Sequence, residues 1–146
     1  MKEYTKEMLA YTAGLIDGEG CISLNRHRPN SFRFPSVAVT NTTIELLNFL
    51  KENFGGDITI RKVYKSSHKQ TWYWRILRSH AIPFLKEILP YMKEPKKIAR
   101  ATLIVNDYER LTVKNGMYDE ESRKLKQEFE DKFYSFGPAD FRLKRK

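Results

Sequence analysis

Residues 6 to 17 are predicted to form a helix that carries apolar or small side chains around almost its whole circumference. Thr5 can cap the start of this helix, and Gly18 and Gly20 mark its end. A helix on the surface of a protein normally has one apolar stripe and one polar face. A chain of 146 residues has little else to cover such a helix on every side. We therefore expect a partner chain to pack against one of its faces.

Small residues on this helix would allow a second backbone to come close. Ala10 and Gly14 lie four residues apart, and Ala13 lies beside them. The same steric principle brings helices together inside membranes. The sequence therefore predicts a homodimer that forms through the first helix, with Ala10, Ala13 and Gly14 at the interface.

The helix ends on two acids, Asp17 and Glu19, which alternate with glycines. A helix C-terminus carries partial negative charge, so carboxylates there are disfavoured and a positive group is expected nearby. Mg²⁺ would meet this need, because it commonly takes one or two carboxylates and completes its coordination shell with water and phosphate oxygens. On its own the stretch from Asp17 to Gly20 is weak evidence for a metal site, since loop acids beside glycine are usually solvated.

Two hairpins and several further helices follow. Alternating apolar residues predict strands over 22–28, 32–40, 58–61 and 71–77. Helices are predicted over 42–54, 79–89, 98–111 and 121–136, and the tail from about residue 138 is basic. The resulting order, α-ββ-α-ββ-α followed by more helix, indicates an α+β fold in a single domain over 1–146.

Local patterns make more detailed predictions. Pro35 should lie on an edge strand or at a bulge, because proline cannot donate a ladder hydrogen bond. Thr42 and Glu45 match a capping box at the start of the second helix. The core of the last helix is expected to contain Leu125, Phe129 and Phe133.

The net charge of +9 and the pI near 9.6 favour a polyanionic partner, nucleic acid first and an anionic membrane surface second. The only cysteine, Cys21, excludes an intrachain disulfide and a cysteine-ligated zinc finger. It is expected to be a small packing residue. No stretch approaches the ~20 apolar residues of a membrane span. We therefore expect a soluble intracellular protein with no membrane partner.

Positive charge is concentrated in the two hairpins, since no Asp or Glu occurs over 21–40 or 58–79. If helices cover one face of the sheet, alternation places polar and basic side chains on the other face, where they could read a DNA major groove. A solvated, weakly basic sheet is the alternative, and an RNA-binding sheet would need more stacking aromatics. The predicted DNA-contacting residues are Ser23, Asn25, His27, Arg28, Asn30, Arg33, Ser36, Arg61, Lys65, His68, Lys69, Tyr73 and Arg75.

The run from Thr12 to Gly20, TAGLIDGEG, closely resembles the signature of the LAGLIDADG homing endonucleases. It differs from that signature at Thr12, Gly18 and Glu19, and the last of these keeps the acid. The element order, Gly55-Gly56 and the lysine cluster after Tyr91 are also similar to the family. The resemblance implies a saddle-shaped antiparallel sheet in the major groove and helices on its other face. It also implies a homodimer acting on a long, nearly palindromic site, because only one motif is present.

The resemblance also implies roles for individual residues. Glu19 matches the metal-binding acid, with the Gly18 carbonyl contributing, and Mg²⁺ or Mn²⁺ would support cleavage whereas Ca²⁺ would be a non-productive substitute. Asp17 could cap, bond across the paired helices at the dimer interface or support the site. Asn41 could order the attacking water or form an Asx-type turn. The candidates for the basic residue that stabilises charge on the phosphate are Lys96, Lys97 or even Lys93, and the alternative is that all three simply contact backbone phosphate.

These features predict a site-specific, metal-dependent double-strand DNA endonuclease with no small-molecule substrate. A catalytically inactive binder of the same fold, either an intron RNA maturase or a transcription regulator, is the alternative. Retention of Glu19 favours cleavage, since a pure binder has no need of an acid at the negative end of a helix dipole. A ribosome-associated basic protein would explain the charge alone.

Overall fold

A computed structural model describes residues 3–61, 69–114 and 116–136. Two of the predicted DNA contacts, Lys65 and His68, and the basic tail lie outside the described residues. The described elements are α1 (Lys6–Glu19), β1 (Gly20–Asn25), β2 (Phe34–Asn41), α2 (Ile44–Phe54), β3 (Asp57–Ile60), β4 (Trp72–Leu77), α3 (Arg78–Ile88), α4 (Pro95–Leu103) and α5 (Glu120–Ser135). A 3-10 turn over Leu89–Tyr91 precedes α4, and a π-helical turn over Ile104–Tyr108 extends it. The predicted order of elements is confirmed.

The four strands form one open antiparallel sheet in the order β1-β2-β4-β3. Side chains alternate between its faces, so every second residue of each strand points toward the helices. Trp74 and Ile76 of β4 are buried there, as predicted, and Trp72 is half-buried. The inward strand residues join helical residues in one hydrophobic core; they are Ile22, Leu24, Val37, Val39, Trp74 and Ile76. The sheet therefore has one covered face and one open face.

The start of α1 is capped as predicted, because the Thr5 hydroxyl accepts a hydrogen bond from the Met8 amide over 3.1 Å. Within the single chain this helix is covered on one side only, and its burial on the other side by a partner chain stays a prediction. Its core-facing side is buried, whereas Ala10, Tyr11 and Gly14 on the other side are exposed. One chain of this size provides cover for only one face of the helix.

Pro35 does not lie on an edge strand or at a bulge, because β2 is central in the sheet. The proline is the second residue of β2 and pairs with Leu24 of β1. Pairing with β4 begins one residue later, at Ser36. The missing amide is therefore tolerated at the strand end, before the second ladder starts.

The start of α2 also differs from the prediction. Thr43 is the N-cap, and its side chain makes no capping bond. Instead, the Asn41 side-chain oxygen accepts a hydrogen bond from the Thr43 amide over 2.9 Å. The capping box of Thr42 and Glu45 is thus replaced by an Asx turn one residue earlier.

The last helix buries Phe129 and Phe133 as expected, but Leu125 is 42% exposed. Lys126 takes the inward position instead and is only 1% exposed. Its ammonium lies 3.9 Å from the centre of the Tyr108 ring and donates a hydrogen bond to the Thr112 hydroxyl over 2.6 Å. An i, i+4 apolar pattern could not reveal that a lysine finds such partners.

The outer edge of β1 is covered by groups from the C-terminal half of the chain. The Tyr134 hydroxyl donates to the Leu24 carbonyl over 2.8 Å, and the Arg100 guanidinium reaches the Ile22 carbonyl over 3.4 Å. These carbonyls would otherwise be an unpaired strand edge. The coverage protects the first hairpin and holds α5 against the sheet.

Candidate nucleic-acid interface and active site

The open face of the sheet carries the polar and basic side chains that alternation predicts. A shallow depression of about 400 Å³ on this face is lined by Glu19, Cys21, Ser23, Asn25, Ala38, Thr40, Arg61 and Tyr73. The prediction that Cys21 is a packing residue is wrong, because its side chain is exposed in this depression. The register explains its position, since Cys21 pairs with Ala38, which in turn pairs with the exposed Arg75.

Two serines predicted to contact DNA are buried. Ser23 and Ser36 pair directly across β1 and β2, and they are 8% and 0% exposed. The Ser36 hydroxyl has no hydrogen-bond partner among the described residues. This burial leaves almost no hydroxyl surface for a DNA base, so Ser36 in particular is a poor candidate for base readout.

Arg61 and Tyr73 form the aromatic and basic part of the depression. The Arg61 guanidinium lies 4.9 Å from the centre of the Tyr73 ring, a cation–π geometry that fixes its direction. Arg75 on the same strand as Tyr73 is exposed, and Lys69, just before this strand, is exposed as well. Arg61, Lys69 and Arg75 place positive charge along the β3–β4 side of the open face.

The first hairpin is shorter than predicted, and its tip is a turn. His27, Arg28 and Asn30 are exposed there, and the Ser31 hydroxyl donates to the Arg28 carbonyl over 2.9 Å. The His27 ring packs against Phe34, 5.2 Å between ring centres. These turn residues extend beyond the strands and remain predicted DNA contacts.

Arg33, in contrast, has a partner inside the chain. Its guanidinium and its backbone amide both donate to the buried carboxylate of Glu130, over 2.8 and 2.9 Å. A bidentate arrangement of this kind orders the hairpin against α5. Arg33 therefore has a structural task that the sequence did not reveal, because its partner lies 97 positions away.

Glu19 is the last residue of α1, and its exposed carboxylate borders the depression on the open face. Gly18 beside it is exposed too, which leaves its surroundings open to a ligand. Gly20 continues directly into β1, and a Cβ there would come within 2.8 Å of the Ile16 carbonyl oxygen. The tight passage from helix to strand thus requires glycine and brings Glu19 to the basic face.

Asp17 points away from this face. Its carboxylate accepts hydrogen bonds from the backbone amides of Lys93 and Glu94, over 2.8 and 3.2 Å. These amides lie at the start of α4, where the helix dipole favours negative charge. Within the chain Asp17 is a link between two helices, and its predicted place at a dimer interface stays a prediction.

Lys97 supplies the positive group that the acidic helix end was expected to need. Its ammonium donates to the carbonyl oxygens of Ile16 and Asp17, over 3.0 and 2.7 Å, at the last turn of α1. Lys96 and Lys93 are exposed. The sequence placed Lys97 among the candidates but predicted contact with phosphate and not with the helix end.

Glu94 completes the junction between the two helices. Its carboxylate accepts a 2.6 Å hydrogen bond from the Lys97 amide and so caps α4. This backbone hydrogen bond is the main reason that the pKa of Glu94 is lowered from its usual value, with the neighbouring lysine charges adding to it. The cap keeps α4, and with it Lys97, in a fixed place under the end of α1.

A divalent ion fits the donor set at this helix end only in part. The Glu19 carboxylate and the Gly18 carbonyl offer oxygen ligands, which Mg²⁺ prefers. Within the described part of the chain, no three His, Cys, Asp or Glu side chains lie close enough together to hold a metal by themselves. Such a site therefore suits an ion that shares its coordination with water and phosphate oxygens.

Among residues 3–61, 69–114 and 116–136, no helix is both long and apolar enough to cross a bilayer.

Comparison with known proteins identifies the motif and the fold. The family model for the LAGLIDADG endonucleases matches residues 12–102, more than half of the chain. No curated protein sequence matches the chain. Among solved structures, the homing endonuclease I-CvuI in complex with its target in the presence of Ca has a TM-score of 0.64 at 17% identity, with 90% of this chain and 83% of that chain covered.

Two further structures show the same likeness. The archaeal intron-encoded homing endonuclease I-Vdi141I, complexed with DNA, has a TM-score of 0.58 at 18% identity and covers 90% of this chain and 85% of its own. The LAGLIDADG homing endonuclease I-GzeII, in complex with its DNA target, has a TM-score of 0.65 at 17% identity and covers 94% and 47%. At these identities the likeness is one of fold. With the motif helix, the open antiparallel sheet and the family match in agreement, the chain belongs to the LAGLIDADG endonuclease family.

Proposed function

We propose that this protein is a site-specific DNA endonuclease that hydrolyses one phosphodiester bond in each strand with the help of a divalent metal ion. The observation that carries the proposal is the position of Glu19, an exposed acid at the junction of the motif helix and the open basic face. Lys97 donates to the last carbonyl oxygens of α1, but no described residue pairs with the Glu19 carboxylate itself, which leaves that carboxylate available to bind a cation. Because Glu19 lies beside a surface suited to polyanions, a cation bound to its carboxylate would also be close to a DNA phosphate.

The open face supports DNA as the substrate. Arg61, Lys69, Tyr73 and Arg75 lie along one side, and the exposed turn of the first hairpin lies at the far end. A two-stranded ribbon fits the B-DNA major groove, where such side chains bind base edges and phosphates. The I-CvuI, I-Vdi141I and I-GzeII structures were each determined with DNA, which supports the same role for this sheet.

Glu19 and Gly18 are the proposed metal ligands. A bound Mg²⁺ or Mn²⁺ would activate water and stabilise the leaving oxygen. Lys97 holds the end of α1 through the Asp17 carbonyl, two residues before Glu19, and the exposed Lys96 is proposed to contact a phosphate oxygen. Asn41 is proposed mainly as a turn residue, since its side-chain oxygen is bonded to the Thr43 amide.

A homodimer would supply the second acid needed to cut the second strand. Each chain carries one motif and one exposed Glu19. The exposed side of α1, with Ala10 and Gly14 on it, allows close approach of an identical helix. Ala13 is buried within the chain and would support that surface from below. Paired helices of this kind would bring two carboxylates onto one DNA duplex.

The test compares the wild type with Glu19→Gln in buffer containing Mg²⁺. The substrate is a plasmid that carries the DNA site into which the gene of this protein is inserted, with the two flanking sequences joined directly and the insert left out. We expect the wild type to linearise the plasmid and Glu19→Gln to bind it without cutting. Glu7→Gln is the matched control, because Glu7 is an exposed acid in the first turn of the same helix. It should cut as the wild type does.

Two outcomes would favour the other functions. Binding without cleavage by wild type and variant alike would indicate a transcription regulator of this fold. Preference for structured RNA over the DNA duplex would indicate a maturase. Replacement of Mg²⁺ by Ca²⁺ should preserve binding and abolish cleavage, if the metal has the proposed role.

A further inference from the structure

A second concentration of positive charge lies away from Glu19, between the first hairpin and the C-terminal helix. There a cavity of about 390 Å³ has Arg33, Arg78, Arg123 and Lys126 in its lining. Among the described residues, no Asp or Glu lines it. Four cations around one cavity without an anion are unfavourable unless an anionic ligand enters.

One carboxylate beside this cavity, that of Glu130, neutralises only part of the charge. Glu130 is 3% exposed, and its two oxygens are taken by the amide and guanidinium of Arg33. That pairing accounts for Arg33, and the Glu130 charge also acts on Lys126, which leaves Arg78 and Arg123 without an ion-pair partner among the described residues. The Lys126 ammonium is almost fully buried, and its described hydrogen bond goes to the neutral Thr112 hydroxyl.

Arg78 shows that the cavity wall is held in an unusual conformation. It has a φ of +55°, which only glycine adopts without cost. Its guanidinium stacks on Phe34, 4.0 Å from the ring centre, and contacts the His27 ring. Strain of this kind persists where the surrounding structure fixes a residue, and it is common at binding sites. Here it directs an arginine to the rim of the cavity.

We propose that this cavity is a phosphate-binding site, in which Arg78, Arg123 and Lys126 hold the anion. A phosphate group fits because three separate cations can each donate to one of its oxygens. The site is distinct from the catalytic end of the sheet. The strand β1 lies between Glu19 and the hairpin turn that lines the cavity. Its six residues span five intervals of ~3.4 Å, so the strand is about 17 Å long.

The phosphate can come from two sources. One wall of the cavity is the hairpin turn that carries Asn30, which is also a predicted DNA contact. A backbone phosphate from the outer part of a DNA half-site could therefore reach the rim, and this source rests on the proposed function. A free phosphate ion or a small phosphate ester is the other source, and it requires no DNA.

The variant Arg123→Gln tests the site, because Arg123 is exposed and its loss should not unfold the chain. Lys124→Gln is the matched control: Lys124 is exposed on the same helix and does not line the cavity. The first measurement is a calorimetric titration of the free protein with inorganic phosphate. The second is the salt dependence of affinity for a target duplex. Lys126→Met, with circular dichroism as a check of folding, is a second variant.

We expect Arg123→Gln, and not Lys124→Gln, to weaken phosphate binding about tenfold or to lower the slope of log K against log salt by about one per subunit. Loss of phosphate binding with an unchanged salt slope assigns the site to a free phosphate. A lower slope alone assigns it to the DNA backbone. Equal effects of both variants, or no effect in either measurement, would overturn the proposal. A protein that binds phosphate here but cuts no DNA would contradict only the proposed function.

Discussion

Asp17 and Lys97 do not pair with each other; the side chain of each forms hydrogen bonds to backbone groups at the end of the helix that carries the other. The Lys97 ammonium donates to the Asp17 carbonyl over 2.7 Å, and the Asp17 carboxylate accepts amides that precede Lys97 at the start of α4. Each charge thus meets the helix end whose partial charge has the opposite sign. The exchange fixes the end of α1, and with it Glu19, relative to the second half of the chain.

Lys97→Met should lower the free energy of unfolding by about 1 to 2 kcal/mol, because two carbonyl oxygens of α1 lose a charged donor. The rate of cleavage should fall by a larger factor than the affinity for DNA, because the substitution displaces Glu19 at the end of α1 and leaves the DNA-binding sheet in place. Denaturant unfolding and a binding assay without Mg²⁺ separate the two effects. Lys96→Met, at an exposed neighbour, should change stability by less than about 0.5 kcal/mol. Equal stability losses in the two variants would contradict the role of Lys97.

Gly14→Leu should prevent self-association while preserving the fold of the single chain. A Cβ at Gly14 meets no atom within 4 Å, and replacing a helical glycine favours the helix by up to about 1 kcal/mol. The proposed dimer needs this surface to be small. Light scattering over a range of concentrations should show a dimer for the wild type and a monomer for the variant. Glu128→Leu, exposed on α5, is the control. A variant as dimeric as the wild type would exclude this interface.

Gly56→Ala should destabilise the fold by at least about 2 kcal/mol. Gly56 has a φ of +87°, and its new Cβ would lie 2.6 Å from the Arg75 carbonyl oxygen and 2.8 Å from the Trp74 ring nitrogen. That ring nitrogen donates to the Gly55 carbonyl over 2.8 Å, so the clash would also disturb a buried tryptophan. Thermal unfolding measures the loss. Gly55→Ala, where the Cβ meets open space, should cost less, and the reverse order would contradict the steric account.

The stability of the protein should rise with pH above about 8 because of Lys126. Burial lowers the pKa of its ammonium from 10.5 to about 8, with Glu130 opposing the shift. The unfolded chain keeps this proton up to about 10.5, so between these values it binds more protons than the folded state. Raising the pH in this window therefore favours folding. From about pH 7 to about pH 9.5 the contribution is about 2 kcal/mol.

Lys126→Met removes this pH dependence. The difference in unfolding free energy between wild type and variant should move in favour of the wild type as the pH rises through the window. Tyr108 faces the ammonium, and burial raises its own pKa, so its phenol stays protonated there. A difference that is constant between about pH 7 and about pH 9.5 would show that the folded Lys126 titrates as it does in water.

Much of the fold could be predicted from local patterns. The alternation in β4 placed Trp74 inside and Arg75 outside, and the helix boundaries fell within a few residues wherever caps or glycines marked them. Predictions failed where a local rule met a distant partner. Leu125 was expected in the core, but Lys126 lies there because Tyr108 and Thr112 receive its ammonium. Pro35 was assigned to an edge because strand order is not a local property.

The sequence by itself determined the motif helix, the two hairpins and the separation of basic from apolar faces. These follow from the fixed periods of the helix and the strand, which any chain of this pattern must obey. Only the tertiary structure decided that Glu19 faces the basic sheet while Asp17 turns to amides 76 and 77 residues away. The direction of each acid depends on which donors the folded chain brings beside it, and sequence spacing does not contain that information.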